Sequence, residues 1–185
     1  MPRPLTPGLE DRILDAAEAL WSEGGEQALS MRAVAQRVGT HPPRIYARFE
    51  DKEALLRALR SRAVARWRTR ISAARSFRDG LARYLEFAAD EPHDYRLLFG
   101  PGFFRRIDRT DNGRPVEVLK RVLAAERGGD AADYHNLALA IWALLHGTAL
   151  LQQEFPEGQA RDNFRDACLD TCEFIAAGAR PHDSR

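Results

Sequence analysis

No stretch of this 185-residue chain approaches the ~18 uncharged apolar residues that a membrane-crossing helix needs, and its opening, MPRPLTPG, lacks the apolar centre of a secretory signal. The expectation is a cytoplasmic protein with no membrane partner. Cysteine is nearly missing. The two present, Cys168 and Cys172, lie four apart in a helical pattern, which excludes the disulfide framework of a small secreted domain and reads as a reduced, buried pair. A redox or metal role would need a partner such as His135 or His146 beside them. No convincing period-two alternation of apolar and polar residues occurs, so β-sheet is not expected. Nor is there a Ser-His-Asp spacing, a glycine-rich phosphate loop or a metal-ligand cluster, which argues against an enzyme and calls for no cofactor. Lysine is scarce as well: of 28 basic residues only Lys52 and Lys120 are not arginine.

What is present is ample apolar material, 44% of the residues, spaced at the helical period, so the chain reads as all-α with about nine helices. The first follows Thr6-Pro7, turns Leu9, Ile13, Ala16, Ala17, Leu20 and Trp21 inward, and is expected to stop at Gly24-Gly25. Ser30 caps a second helix with Met31, Val34, Ala35 and Val38 inward. Gly39 stands where the chain must turn with positive φ. The third begins with Pro42 and Pro43, tolerated in a first turn whose amides have no helical acceptor. Asp51 caps a long fourth helix, and Ser76 with Asp79 opens a fifth that ends near Asp90. Pro92 opens a short sixth. Residues 101–114 read as loop, and a seventh helix spans about 115–127. Asp130 with Asp133 starts an eighth to about Phe155, and a ninth runs from about Gln159 to Ala179, before a polar tail.

The formal net charge of +1 hides an asymmetry. Residues 1–75 carry +5 and residues 76–185 carry −4, while 31–75 alone carry +9. A basic segment joined to a mildly acidic one is the footprint of a nucleic-acid reader with a non-binding companion. For the stretch Arg57 to Arg75, a solvated helix face explains the charge equally well.

The charge and the turn meet in Ser30 to Lys52, SMRAVAQRVGTHPPRIYARFEDK. Two short helices joined at Gly39 fit the helix-turn-helix rule, in which the second helix enters the DNA major groove. Ile45 and Phe49 anchor that helix inward. Arg44, Ala47 and Arg48 then point out, with Tyr46 at the edge. Arg44 is the candidate for reading bases, since its planar fork pairs with guanine O6 and N7; a phosphate contact is the alternative. Arg48, one turn on, suits a phosphate better. Arg32 and Arg37 flank the helix that crosses the backbone and read either as phosphate contacts or as a solvated face.

The run ILDAAEALWSEGG followed by LSMRAVAQRVGTHPPRIYARFEDKEALLRAL resembles the N-terminal DNA-binding segment of TetR-type transcriptional regulators. The resemblance covers about residues 9–60, with the turn glycine, the Tyr46 and Phe49 pair and the run from Asp51 to Leu55. A second, shorter likeness lies in AIWALLHGTALLQQE, residues 140–154, where Trp142, His146 and Gly147 resemble the Trp…His-Gly signature of one C-terminal subgroup. The resemblance implies a homodimer with a DNA-binding head over residues 1–50 and a ligand and dimerisation domain over 51–185, connected by the helix from 52. It also implies phosphate contacts from Tyr46 and Lys52. Thr40 and His41, at the start of the recognition helix, complete the DNA-facing set. Two recognition helices about 34–36 Å apart would read a palindromic operator. Where relatives often have Ser and Gly, this chain has His41 and Pro43, so base contacts do not transfer from them.

The implied effector is a small apolar or amphipathic molecule in a cavity bounded by helices four to eight, most simply releasing a repressor. Trp67, Tyr84, Phe87, Tyr95, Phe99, Phe103, Trp142 and His146 are the candidate lining; each aromatic reads equally as core, and a histidine placed like His146 is more often hydrogen-bonded core than a ligand contact. His135, Trp142 and His146 form nearly one stripe on helix eight. Leu139, Leu150, Leu151, Phe164, Cys168, Cys172 and Ile175 are the apolar candidates for the dimer contact. A constitutive DNA-packaging protein is the competing class, though it would not need an acidic, aromatic-rich C-terminal region.

Overall fold

Local capping chemistry explains where three of the helices start. The computed structural model describes residues 8–100 and 115–178; the expected start at Thr6-Pro7, the loop at 101–114 with Phe103, and the C-terminal tail lie outside them. Among the described residues nine α-helices follow one another and no strand occurs: α1 (Leu9–Ala28), α2 (Met31–Val38), α3 (Pro42–Tyr46), α4 (Lys52–Ser72), α5 (Phe77–Asp90), α6 (Pro92–Phe99), α7 (Pro115–Arg127), α8 (His135–Leu151) and α9 (Gln159–Gly178). Ser30 accepts from the Ala33 amide, Asp51 from Ala54 and Ser76 from Asp79, each satisfying a first-turn donor that has no helical acceptor. Two boundaries differ from the expectation. The chain leaves helical geometry at Gly24 and Gly25 but resumes for one more turn to Ala28. Asp130 and Asp133 do form a reciprocal cap, yet what they open is a 3₁₀ turn, Ala131–Tyr134, with the α-helix following at His135.

The chain divides into two compact units. The first, Met1–Arg66 with His93–Gly100, holds α1 to α3, α6 and the greater part of α4. It therefore reaches past residue 50. Ile13, Ala17, Val34, Ile45, Leu55 and Leu59 are fully shielded in its core, and Leu97 of α6 joins them. The Trp21 Nε1–H donates to the His93 carbonyl at 3.0 Å, which ties α6 to α1. Arg62 bridges Asp11 and Asp15 at 2.7 Å each, and Arg66 holds Asp94 through two hydrogen bonds and reaches Glu18 at 3.2 Å. The acids of α1 at 11, 15 and 18 share a face by the helical period, and α4 meets that face with arginines at i and i+4.

The second unit, Trp67–Pro92 with Pro101–Arg185, holds α5, α7, α8 and α9 and the last residues of α4. Leu85, Phe87, Leu123, Ala138, Ile141 and Cys172 are wholly buried there. The buried Gln152 amide donates to the Leu85 carbonyl at 2.9 Å, and Arg78 of α5 grips Asp170 and Glu173 of α9 at 2.7 and 2.6 Å. Arg70 reaches Asp90 at 2.6 Å.

The arginines that inflate the charge of 57–75 are thus partly consumed inside the chain: Arg60, Arg62, Arg66 and Arg70 all hold carboxylates. Exposed pairs of this kind contribute about 0–1 kcal/mol each, against roughly 2–5 kcal/mol lost when a core leucine is cut to alanine. Arg62→Met should therefore lower unfolding free energy by less than about 1 kcal/mol and Leu59→Ala by about 2–5 kcal/mol, read from urea denaturation.

Candidate nucleic-acid interface and apolar cavity

The turn between α2 and α3 satisfies three of the carbonyls that the end of α2 leaves over. Gly39 has φ 72°, its amide donates to the Gln36 carbonyl at 3.1 Å, and the next amide, Thr40, donates back to Ala35 at 2.9 Å. This is the paired closure of a Schellman cap. The Val38 carbonyl is taken by Arg12, whose Nη2 donates to it at 3.0 Å across 26 residues. Sequence reasoning missed Arg12. Its position on α1 gave no local signal, although a cation near a helix C-terminus is favoured by the helix dipole.

α3 leaves this turn at His41, which is exposed, has extended geometry and makes no side-chain cap. Pro42 and Pro43 fill the first two helical positions. Ile45 is fully buried and Phe49 nearly so, which fixes the outward face: Arg44 and Ala47 are exposed, Tyr46 is 53% exposed and Arg48 is half-buried. Arg32 is exposed on α2 and Thr40 is half-buried, its amide bound in the cap. Two expected cations have partners inside the chain. Arg37 forms a two-bond pair with Glu23 at 2.9 and 2.7 Å, which raises its pKa and lowers that of Glu23. Lys52 donates to the Glu26 carbonyl at 2.7 Å.

A separate feature occurs wholly within the second unit. A cavity of about 770 Å³ lies among the end of α4, α5, α7 and one turn of α8. Trp67, Phe77, Leu81, Tyr84, Leu119 and Leu145 form its apolar floor, all of them buried. Of the expected lining, Trp67 and Tyr84 are here. Phe87 is on α5 but turned into the core, and Tyr95 and Phe99 meet at a tilt, ring centres 5.1 Å apart, in the first unit, because α6 packs there. Trp142 is one residue removed, its Nε1–H donating to the Tyr84 hydroxyl at 3.2 Å, and His146 stacks on Trp142 at 5.4 Å. Burial lowers the His146 pKa from its ordinary value. His135 of the same stripe is exposed.

The candidate pairing face separates into two groups. Leu139, Leu150 and Leu151 are exposed, and so are Leu144, Phe155 and Phe174, which the sequence reading did not single out; Phe174 is 79% exposed. Phe164 is half-buried against Phe155, and Ile175 is half-buried. Cys168 and Cys172 do not belong to that face, because both are buried within the unit. The hydrogen bond between them lowers the Cys168 pKa and raises that of Cys172. No cluster of three or more potential metal ligands occurs among the described residues. No helix there is long and apolar enough to cross a membrane.

A glycine-closed helix pair with an exposed basic face, attached to a second helical unit, is the architecture of helix-turn-helix regulatory proteins. The chain belongs to the tetR family of bacterial regulatory proteins: that family's model matches residues 13–59, and the model described as tetracyclin repressor-like, C-terminal domain, matches residues 77–171. Over 61 residues it is 39% identical to the HTH-type transcriptional regulator UidR of Escherichia coli K12, a match spanning 31% of each chain. A TetR-like transcriptional regulator from Rhodococcus sp. RHA1 superposes with a TM-score of 0.64 at 20% identity, over 97% of this chain and 100% of that one. The multidrug binding protein EbrR, solved with malachite green, gives 0.64 at 18% identity over 91% and 98%. At these identities the two structures testify to the fold.

A Cβ at Gly39 would meet no atom within 4 Å, so any cost of substitution there is backbone strain alone. Gly39→Val should destabilise the protein by about 1–3 kcal/mol. Gly39→Asn should recover most of that loss, since asparagine tolerates the left-handed region, and thermal melting of both variants checks the order.

Proposed function

We propose that this chain is a DNA-binding transcriptional regulator. It acts as a homodimeric repressor that leaves a palindromic operator when a small apolar or amphipathic effector occupies the cavity of the second unit. The observation that carries the reading is the α3 face: Arg44 and Tyr46 stand exposed beside Arg48, over a buried Ile45 and Phe49 that hold the helix in place. Arg44 reads bases. Tyr46, Arg48 and Lys52 anchor phosphates, with Arg32, Arg37, Thr40 and His41 around them. Arg37 is exposed and Lys52 half-buried, both within reach of solvent, so exchanging their present partners for a phosphate costs little.

The effector part rests on the cavity, whose volume falls in the range of about 300–1,000 Å³ usual for small-molecule sites. It is also supported by the likeness in fold to a protein solved with a bound dye. α4 is one continuous helix whose last turns, at Trp67, Arg68 and Ile71, line the cavity while its first turns belong to the DNA-binding unit, so it is the proposed carrier of the response. To reverse occupancy from 99:1 to 1:99 the effector must favour the released state by about 5.5 kcal/mol. Pairing through α8 and α9 is supported by Leu139, Leu150, Leu151 and Phe174, since a helix apolar on all sides has a further surface to cover. The Trp142 and His146 stack supports the Trp…His-Gly subgroup.

Arg44→Ala should flatten base preference at one position in each half-site, at a cost of about 1–3 kcal/mol, in a binding selection on randomised duplexes. An equal loss on every sequence would reduce Arg44 to a backbone contact. Lys52→Ala should shallow the log–log salt slope by about 0.9 per site. Phe174→Asp should shift the protein toward monomer in analytical ultracentrifugation. A compound screen in which nothing changes both melting temperature and operator affinity would leave a constitutive DNA-binding protein instead.

A further inference from the structure

Of the cations placed on the DNA face, Arg37 and Lys52 are both met from the same short stretch of α1, the break at Gly24-Gly25 and the acids on either side of it. Gly24 has φ −154° and ψ 19°, and Gly25 has φ 60° and ψ −144°, a left-handed φ open to a residue without a Cβ. A Cβ at Gly24 would come within 2.9 Å of the Ala28 Cβ, so this position too favours glycine. Glu23, just before the break, meets α2, and Glu26, just after it, meets the start of α4.

The two contacts are not equivalent. Lys52 spends its short bond on a neutral acceptor, the Glu26 carbonyl at 2.7 Å, while the Glu26 carboxylate stands off at 4.0 Å. Most of the ammonium charge is still there for a phosphate. Arg37 instead gives two guanidinium nitrogens to the two oxygens of Glu23, at 2.9 and 2.7 Å. Arginine binds phosphate in the same fork-to-fork manner, so the carboxylate occupies the donors that a phosphate would need and cancels their charge. As a strut the pair counts for little, because it is exposed and α1 and α2 already share a core that includes Ile13, Ala17, Val34 and Ala35.

Resting on the reading of this face as the DNA interface, we propose that Glu23 is a built-in stand-in for a DNA phosphate, which holds Arg37 and keeps the protein's sequence-independent affinity for duplex DNA low. Counterions leave DNA in proportion to the cations that neutralise its phosphates. A guanidinium that already carries a carboxylate contributes to this release only by setting that carboxylate aside, next to an anionic backbone. Giving up the pair costs the fold little, yet it weakens the electrostatic part of binding. Base contacts are untouched by the exchange, so discrimination between sequences is left to α3.

The test uses the full chain and a fluorescently labelled duplex of random sequence, titrated over a series of potassium chloride concentrations. Glu23→Gln should bind about three- to tenfold more tightly at ~0.1 M salt and steepen the log–log salt slope by about 0.9 for each engaged protomer, the gain fading toward ~1 M. Glu10→Gln removes the same charge from the opposite end of α1 and should shift the slope little, with Glu26→Gln between the two. In an Arg37→Gln background, Glu23→Gln should change the affinity no more than Glu10→Gln does. The melting temperature of Glu23→Gln should stay close to that of the parent, which separates a charge effect from a structural one. An unchanged slope in Glu23→Gln, or the same gain when Arg37 is already replaced, would overturn the proposal and leave the DNA reading in place. A parent protein that binds no duplex at any salt concentration would overturn the DNA reading and the proposal with it.

Discussion

The way α2 ends governs the basic face of this protein. An α-helix finishes with carbonyls that have no helical donor, and here three of them are met, two locally by the Gly39 and Thr40 amides and one, from a distant part of the chain, by Arg12. That closure requires a positive φ at one position and sets the direction in which α3 departs. With the direction set and Ile45 locked into the core, the outward side chains follow from the helical period. The basic face is a consequence of how the preceding helix is closed as much as of the arginines themselves.

Arginine occupies several kinds of position along the chain, and only geometry separates them. Arg62 and Arg66 face the acidic side of α1 and are absorbed by it, Arg70 and Arg78 do similar work in the second unit, and Arg12 satisfies a carbonyl. Arg32, Arg44 and Arg48 lie on the helix-turn-helix segment, and Arg68, Arg75 and Arg121 ring the cavity. A count of charge over residues 31–75 mixes these groups. The planar, always-charged guanidinium suits all of them, which fits a chain with so little lysine.

What the sequence made legible was local. Ser30, Gly39, Pro42, Asp51 and Ser76 each act within four residues of themselves, so the caps, the turn and the inward positions of α1 to α5 could be read from spacing. What escaped depended on partners far along the chain. Arg12 meets Val38, Glu23 meets Arg37 and Arg66 meets Asp94, and no periodicity reports such pairs. The aromatic residues show the same limit. Trp67, Phe87 and Tyr95 look alike in sequence, yet one lines a cavity, one is core and one belongs to the other unit, because α6 packs on α1 although it follows α5 in the chain. The cysteines were readable as buried but not as belonging to the inner side of α9.

The two prolines that open α3 have a further effect. The first turn of a helix ordinarily offers spare backbone N–H groups, which is why anions gather there. In α3 the first two positions have no N–H at all, and the third, the Arg44 amide, is spent on the His41 carbonyl at 2.9 Å. The first three helical positions therefore have no amide to give a phosphate, so whatever grip those positions exert on a nucleic-acid backbone comes from flexible side chains. These must be immobilised anew at each encounter, and the grip therefore carries an ordering cost in side-chain rotamers that a backbone clamp would have avoided.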